Sequence, residues 1–334
     1  MGQVLSTIKF KARKFFVTGG AGFIGATMCQ KLLEQNSVEA VTVIDNFSSG
    51  REWHIEKFRS DPRFTLIRGE LHNAELLVSS MKTHDCVIHF ASNPDIAKAV
   101  TDPDIDYRQG TELTRAVVEA ARINRVENIL YTSGSGVYGD MGEALMTEES
   151  GKFEPVSTYA ASKIAGEALI SAYAHMHGLE ARAFRFANVV GPHQTHGVGY
   201  DFLKKLLRDS SRLRILGDGN QSKSYIYVDD VVEAMLLALN VSKGPYQVYN
   251  VGTGDYVTVN EIAQIAVEVL GLQGGSVRFE YTGGSVGWRG DVAKMRMDST
   301  KISTLGWKRS RGSRQAILDS LRGMLDNAKK GLFQ

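Results

Sequence analysis

Residues 14 to 25 read Lys14-Phe15-Phe16-Val17-Thr18-Gly19-Gly20-Ala21-Gly22-Phe23-Ile24-Gly25, and this stretch decides the fold. The first five form a short apolar run rich in aromatic and β-branched side chains and ended by glycine, the pattern of a buried strand. Glycines then recur at 19, 22 and 25, and a helical apolar period runs from about residue 23 to 34. Small residues between a strand and a helix let the backbone turn tightly and approach a pyrophosphate at the positive helix N-terminus. Next comes Ala40-Val41-Thr42-Val43-Ile44-Asp45, a second apolar run ending in a carboxylate. Together these segments make one βαβ unit.

Working outward, apolar runs at 64–68, 86–91, 128–133 and 181–188 alternate with helical patterns at 113–123 and 159–177. Such alternation predicts an α/β fold with a doubly wound, Rossmann-type parallel sheet covered on both faces. After Asn188 it weakens into glycine-rich loops, with helices predicted near 201–208, 229–239, 260–270 and 314–328. The expected organisation is an arm at 1–13, a dinucleotide-binding domain at 14–187 and a smaller mixed α/β lobe, mainly 188–330, for the substrate. No linker separates the halves, so they are expected to interweave.

The 334 residues carry 39 basic and 37 acidic side chains, a net charge of +2, which gives no electrostatic footprint for nucleic acid. Cys29 and Cys86 have no metal-ligand spacing and read as reduced, buried thiols, so no metal site and a cytoplasmic location are expected. No apolar run approaches the roughly 20 residues that span a bilayer, and no membrane association is expected from one. The start, Met1-Gly2-Gln3-Val4-Leu5-Ser6 with Lys9, Lys11, Arg13 and Lys14 behind it, fits an N-myristoylation pattern beside a basic cluster. The pattern is short, and the preferred reading is an N-terminal arm that precedes the first strand.

Asp45 lies 20 residues past Gly25 at a strand end, where a carboxylate accepts hydrogen bonds from both adenosine ribose hydroxyls and repels a 2′-phosphate. This favours NAD over NADP, with Arg51 the nearby cation that a 2′-phosphate would need. The predicted cofactor set is Gly19, Gly22, Phe23, Ile24 and Gly25 at the glycine loop, and Asp45, Asn46, Ser48 and Gly50 after the second strand. Glu70 and Leu71 are expected near the adenine, with Phe90, Ala91 and Ser92 flanking the dinucleotide. His89 reads as a packed strand residue.

Tyr159-Ala160-Ala161-Ser162-Lys163 sets a phenol and an ammonium on one helix face. A free phenol, with a pKa of about 10, is only about one part in a thousand phenolate at neutral pH. A lysine cation beside it favours phenolate, as general acid–base catalysis requires.

With these features the chain resembles the extended short-chain dehydrogenase/reductases, within them the NAD-dependent epimerase/dehydratase family and its archaeal-type UDP-galactose (UDP-glucose) 4-epimerases. The resemblance covers about residues 14 to 325. It rests on the glycine loop, Asp45-Asn46-Phe47-Ser48-Ser49-Gly50, Val137-Tyr138-Gly139, the Tyr159/Lys163 pair, Arg185-Phe186-Ala187-Asn188-Val189-Val190-Gly191-Pro192, and Gly217-Asp218-Gly219 with Ser224-Tyr225-Ile226-Tyr227-Val228. It implies that Asn188 and Lys223 meet the substrate diphosphate, that Val198 and Tyr200 lie along the base and sugar, and that Asp291 reaches a ribose. Trp288 stands where relatives carry arginine, leaving Arg289 as the substitute. A homodimer pairing the helices at 113–123 and 159–177 is also implied.

Two departures concern the reacting end. Gly134 stands where relatives carry a catalytic Ser or Thr, so Ser133, Ser135 or a water is left to supply the hydroxyl. Gly110, beside Gln109, stands where relatives carry an asparagine. Dehydratases and decarboxylases of the family carry acidic residues where this chain has Ser135 and Gly136, and elimination without an acid is disfavoured. The resemblance therefore implies a 4-epimerase acting on a UDP-hexose. The alternatives are another NAD-dependent nucleotide-sugar oxidoreductase, dehydratase or decarboxylase, or an impaired protein that only binds its ligands.

Overall fold

A computed structural model of the chain describes residues 10–150, 154–273, 275–288 and 290–333. The lipidation pattern at the start and Arg289 lie outside the described residues. Seven parallel strands form the central sheet: β1 (Lys14–Thr18), β2 (Ala40–Asp45), β3 (Phe64–Arg68), β4 (Cys86–His89), β5 (Asn128–Gly134), β6 (Glu180–Phe186) and β7 (Tyr246–Val251), in the order β7-β6-β5-β4-β1-β2-β3. Thr18 at the end of β1 lies between Ile44 and His89. The strand order reverses there, and the reversal opens a crevice beyond the strand ends.

Side-chain alternation explains why both faces are covered. Phe15 and Val17 of β1 join a core with Met28 and Leu32 of α1 (Phe23–Leu33) and with Val231 and Met235. Phe16 points the other way, with Leu77 of α2 (Ala74–Ser80), Val117 of α3 (Leu113–Ile123) and Ile170 of α4 (Thr158–His177). A third core unites Leu203 of α5 (Val198–Arg208), Ile262 of α7 (Val259–Val269) and Leu321 of α8 (Ser313–Lys329) in the lobe.

The helix between, α6 (Val228–Val241), packs on α1 in the first core, and β7 pairs with β6. Residues 228–251 thus complete the dinucleotide-binding half, so a boundary at 187 does not separate the halves. The apolar run expected at 181–188 is broken: β6 stops at Phe186, and Asn188–Val190 pairs instead with Tyr225–Tyr227. The Asn188 amide donates to the Ser224 carbonyl, which peels the chain off the sheet and starts the lobe. Likewise β4 ends at His89, so Phe90, Ala91 and Ser92 form a loop at the crevice.

Among the described residues no helix is long and apolar enough to cross a membrane. Cys29 and Cys86 are buried and unpaired, and burial pushes both thiols up.

Candidate active site

A cleft of about 900 Å³ runs from the glycine loop to the lobe, the size of a pocket for a large ligand. Gly19 adopts φ +71°, and a Cβ there would come within 2.9 Å of the Ala91 amide nitrogen. At Gly25 a Cβ would collide with the Gly19 carbonyl oxygen. These two positions require glycine, one for its backbone and the other for helix–loop contact. Gly22 caps α1 without a side-chain hydrogen bond, and the first turn carries no acidic residue, so the positive helix end is left open to an anion. Gly25→Ala is expected to weaken NAD binding at least tenfold and to lower Tm; NAD titration with wild-type affinity would exclude this close-contact role.

Asp45 is buried and accepts hydrogen bonds from the amides of Ala21 at 2.9 Å and Phe47 at 2.8 Å. Burial raises its pKa, and those two amides work against the rise. Asn46 donates to Glu70 at 3.1 Å, and Ser48 and Leu71 line the same end of the cleft. Gly50 does not line it: a Cβ there would meet the Asp45 carboxylate and Ala21, so it supports Asp45 from behind. Arg51 donates to the carbonyls of Ser49 and Gly50 at 3.1 and 2.9 Å. Glycine cradle, open helix end and a buried carboxylate at the far end of the turn fit NAD.

Phe23, Ile24, Phe90, Ala91 and Ser92 line the next section. His89 is buried between Thr18 and Thr114, at 2.7 and 3.2 Å, and burial lowers its pKa to about 3. It is a neutral packed residue.

Ser157 caps α4, accepting from the Ala160 amide, and this start aims Tyr159 and Lys163 into the cleft. Lys163 is 4% exposed, donates to the Thr132 carbonyl at 2.9 Å and holds its Nζ 5.4 Å from the Tyr159 ring centroid. Burial lowers the Lys163 pKa to about 8, while the carboxylates of Asp106 and Glu167 raise it. Burial also pushes the Tyr159 phenol up to about 12; Asp106 adds to the rise and the Ser92 hydroxyl beside the phenol opposes it.

Gly134 faces the cleft with nothing within 4 Å of a Cβ. Ser133, adjacent on the strand, does not supply the absent hydroxyl: its Oγ donates to Glu167 Oε1 at 2.5 Å, inside a buried pair that Glu167 makes with Arg185. Ser135 lines the cleft at the start of a single 3₁₀ turn, Ser135–Tyr138. Gly110 sits in a π-helical turn, Tyr107–Glu112, packed so closely on α4 that a Cβ would lie 2.5 Å from Ser162 Oγ. Gln109, next to it, reaches the cleft.

Asn188, Val198 and Tyr200 line the lobe side. Lys223 and Asp291, expected at phosphate and ribose, pair with each other at 2.6 Å, and Trp288 lies 5.6 Å from the Lys223 ammonium. Two residues near the reacting end had no motif. Asp106, 1% exposed, bridges Asn93 at 2.8 Å and Thr158 at 2.7 Å. Glu167 continues the four-residue series of Tyr159 and Lys163, a spacing legible in the sequence.

Residues 15–252 match the model of the NAD-dependent epimerase/dehydratase family. The chain belongs to that family. It is 31% identical to a putative UDP-glucose 4-epimerase of Methanocaldococcus jannaschii, over 93% of this chain and 98% of the relative. Among solved structures, a UDP-galactose 4-epimerase superposes with TM-score 0.82 at 36% identity, covering 94% of this chain and 99% of that one. A dTDP-glucose 4,6-dehydratase of Streptomyces venezuelae with NAD bound superposes with TM-score 0.87 at 26% identity, over 95% and 98%. The family's epimerases and dehydratases thus both lie near. NAD is the cofactor.

Proposed function

We propose that the protein is a 4-epimerase that interconverts the C4 epimers of a UDP-hexose through a transient 4-keto sugar. What carries this reading is the cleft wall at Gly134, Ser135 and Gly136, which offers no carboxylate beside Tyr159 and Lys163. Asp95, also on the cleft, caps the Ala97 amide, and Glu70 is engaged by Asn46 at the other end. Among the described residues, the wall at Gly134, Ser135 and Gly136 then offers no acid for removal of water from C5 and C6 of the sugar.

When bound, NAD supplies the hydride acceptor and a positive ring that favours phenolate. Tyr159, as phenolate, takes the proton of the sugar 4-hydroxyl, and Lys163 stabilises its charge. The 4-keto sugar turns over between the lobe and the sheet, and the same phenol returns the proton. Asn188, Lys223 and Arg289 are assigned to the diphosphate, Asp291 to a ribose, and Val198 and Tyr200 to the base and sugar. The protein is further proposed to act in the cytoplasm as a homodimer through α3 and α4, where Ile123 and Met176 are 48% and 76% exposed; sedimentation at micromolar concentration measures this.

The test is incubation with UDP-glucose or UDP-galactose without added NAD, followed by NMR of the anomeric protons. Both reactions are expected to converge on one mixture. A 4-keto-6-deoxy product, or carbon dioxide from a UDP-uronate, would assign a dehydratase or a decarboxylase instead. NAD-loaded protein inert toward every sugar would mark a binding protein.

The activity should also fall on the alkaline side. Lys163 holds its proton only to about pH 8, and its loss removes the charge that supports the phenolate. A kcat profile is expected to descend above about pH 8, and Lys163→Arg, which keeps its proton, should lose that limb. A flat wild-type profile to pH 10 would remove Lys163 from this role.

A further inference from the structure

The site lacks a hydroxyl at Gly134, and Ser133 is held by Glu167. A different serine stands at the phenol. Ser92, on the loop after β4, lines the same cleft as Tyr159, and its hydroxyl works against the rise of the phenol's pKa.

The loop is fixed on both sides of Ser92. Before it, the Ala91 amide donates to Thr18 Oγ1 at 3.3 Å. After it, Asn93 is 3% exposed and donates to the Asp95 carbonyl at 2.9 Å and to Asp106 at 2.8 Å. The other oxygen of Asp106 accepts from the hydroxyl of Thr158, the residue before Tyr159, at 2.7 Å. One buried carboxylate therefore clamps the Ser92 loop to the start of the helix that carries the phenol.

We infer that Ser92 supplies the hydroxyl hydrogen bond to Tyr159 that the strand position at Gly134 does not, with the Asn93–Asp106–Thr158 clamp holding it there. The hydroxyl has moved from the end of β5 to the loop after β4. In the resting site Ser92 Oγ donates weakly to the Asn93 carbonyl at 3.3 Å. A phenolate is a stronger acceptor than an amide carbonyl, so the hydroxyl turns to Tyr159 as the phenol loses its proton. The other titratable groups about the phenol are Lys163 on its own helix, Asp106 before the π-helical turn and Tyr131 on β5.

The inference rests on Tyr159 as the acid–base group, and the test separates the two. NAD-loaded protein labelled with 3-fluorotyrosine is titrated by fluorine NMR, with the Tyr159 resonance assigned by its disappearance in Tyr159→Phe. In Ser92→Ala the phenol is expected to titrate about one pH unit higher, since a hydrogen bond to a charged group is lost. The acid limb of kcat should move with it, giving about a tenfold loss on that limb. Adding Gly134→Ser to Ser92→Ala, at a position with open space for the side chain, is expected to bring the phenol and the rate back. A phenol that titrates unchanged in Ser92→Ala overturns the inference, whatever happens to the rate. Full activity in Tyr159→Phe would instead overturn the proposed mechanism.

Discussion

Tyr159→Phe is expected to lower kcat by about 10²–10⁴-fold, the range that follows loss of a positioned general acid–base group. Phenylalanine keeps the ring near the Lys163 ammonium and removes only the oxygen. Tm and the NAD that co-purifies should therefore match the wild type, placing the loss in the chemical step. The assay is single-turnover conversion of the sugar, read by NMR, beside thermal melting and the absorbance ratio of the purified protein. A kcat within threefold of wild type would show that proton transfer at C4 does not pass through this phenol.

Much of this site was legible because its signals are local. β1, the glycine loop and β2 lie within 32 residues, and each dictates its structure by its own pattern: an apolar run, small residues at the turn, a carboxylate at the strand end. Tyr159 and Lys163 share one helix. What escaped depends on contacts between distant segments. β7 was missed because Tyr246-Gln247-Val248-Tyr249-Asn250-Val251 acquires its place only by pairing with β6, across the whole first half of the lobe. The clamp at Asp106 joins three segments whose residues, taken singly, match no motif. Ser133 reads as a spare hydroxyl in the sequence, yet its Oγ is engaged by the Glu167 carboxylate although the residue borders the cleft. Lys223 and Asp291 had separate assignments, and only the folded lobe brings them together. Their pairing supplies the compensation a buried carboxylate needs.

The same buried pair behind Ser133 governs stability. Glu167 is 8% exposed and accepts from Arg185 Nε at 3.0 Å and Nη2 at 2.7 Å, while Arg185 also donates to the Tyr138 hydroxyl at 3.0 Å and the Glu148 carbonyl at 3.1 Å. Tyr138 continues to Asn250 on β7 at 2.6 Å. The network thus links β5, α4, β6 and β7, the half of the sheet that carries the catalytic helix. Glu167→Gln keeps the shape and leaves the Arg185 guanidinium buried without its counter-charge, a change that costs about 3–5 kcal/mol. A fall in Tm of roughly 10 °C is expected by calorimetry. Glu167 also raises the Lys163 pKa, so the alkaline limb of kcat should move to lower pH in the same variant. Replacing both residues, Glu167→Met with Arg185→Met, removes the stranded charge and should recover part of the Tm. It should leave the alkaline limb displaced, because Lys163 still lacks the carboxylate one turn away. A Tm within 2 °C of wild type for Glu167→Gln alone, with the limb unmoved, would mean that water reaches Arg185 and that the pair neither holds the sheet nor supports the lysine.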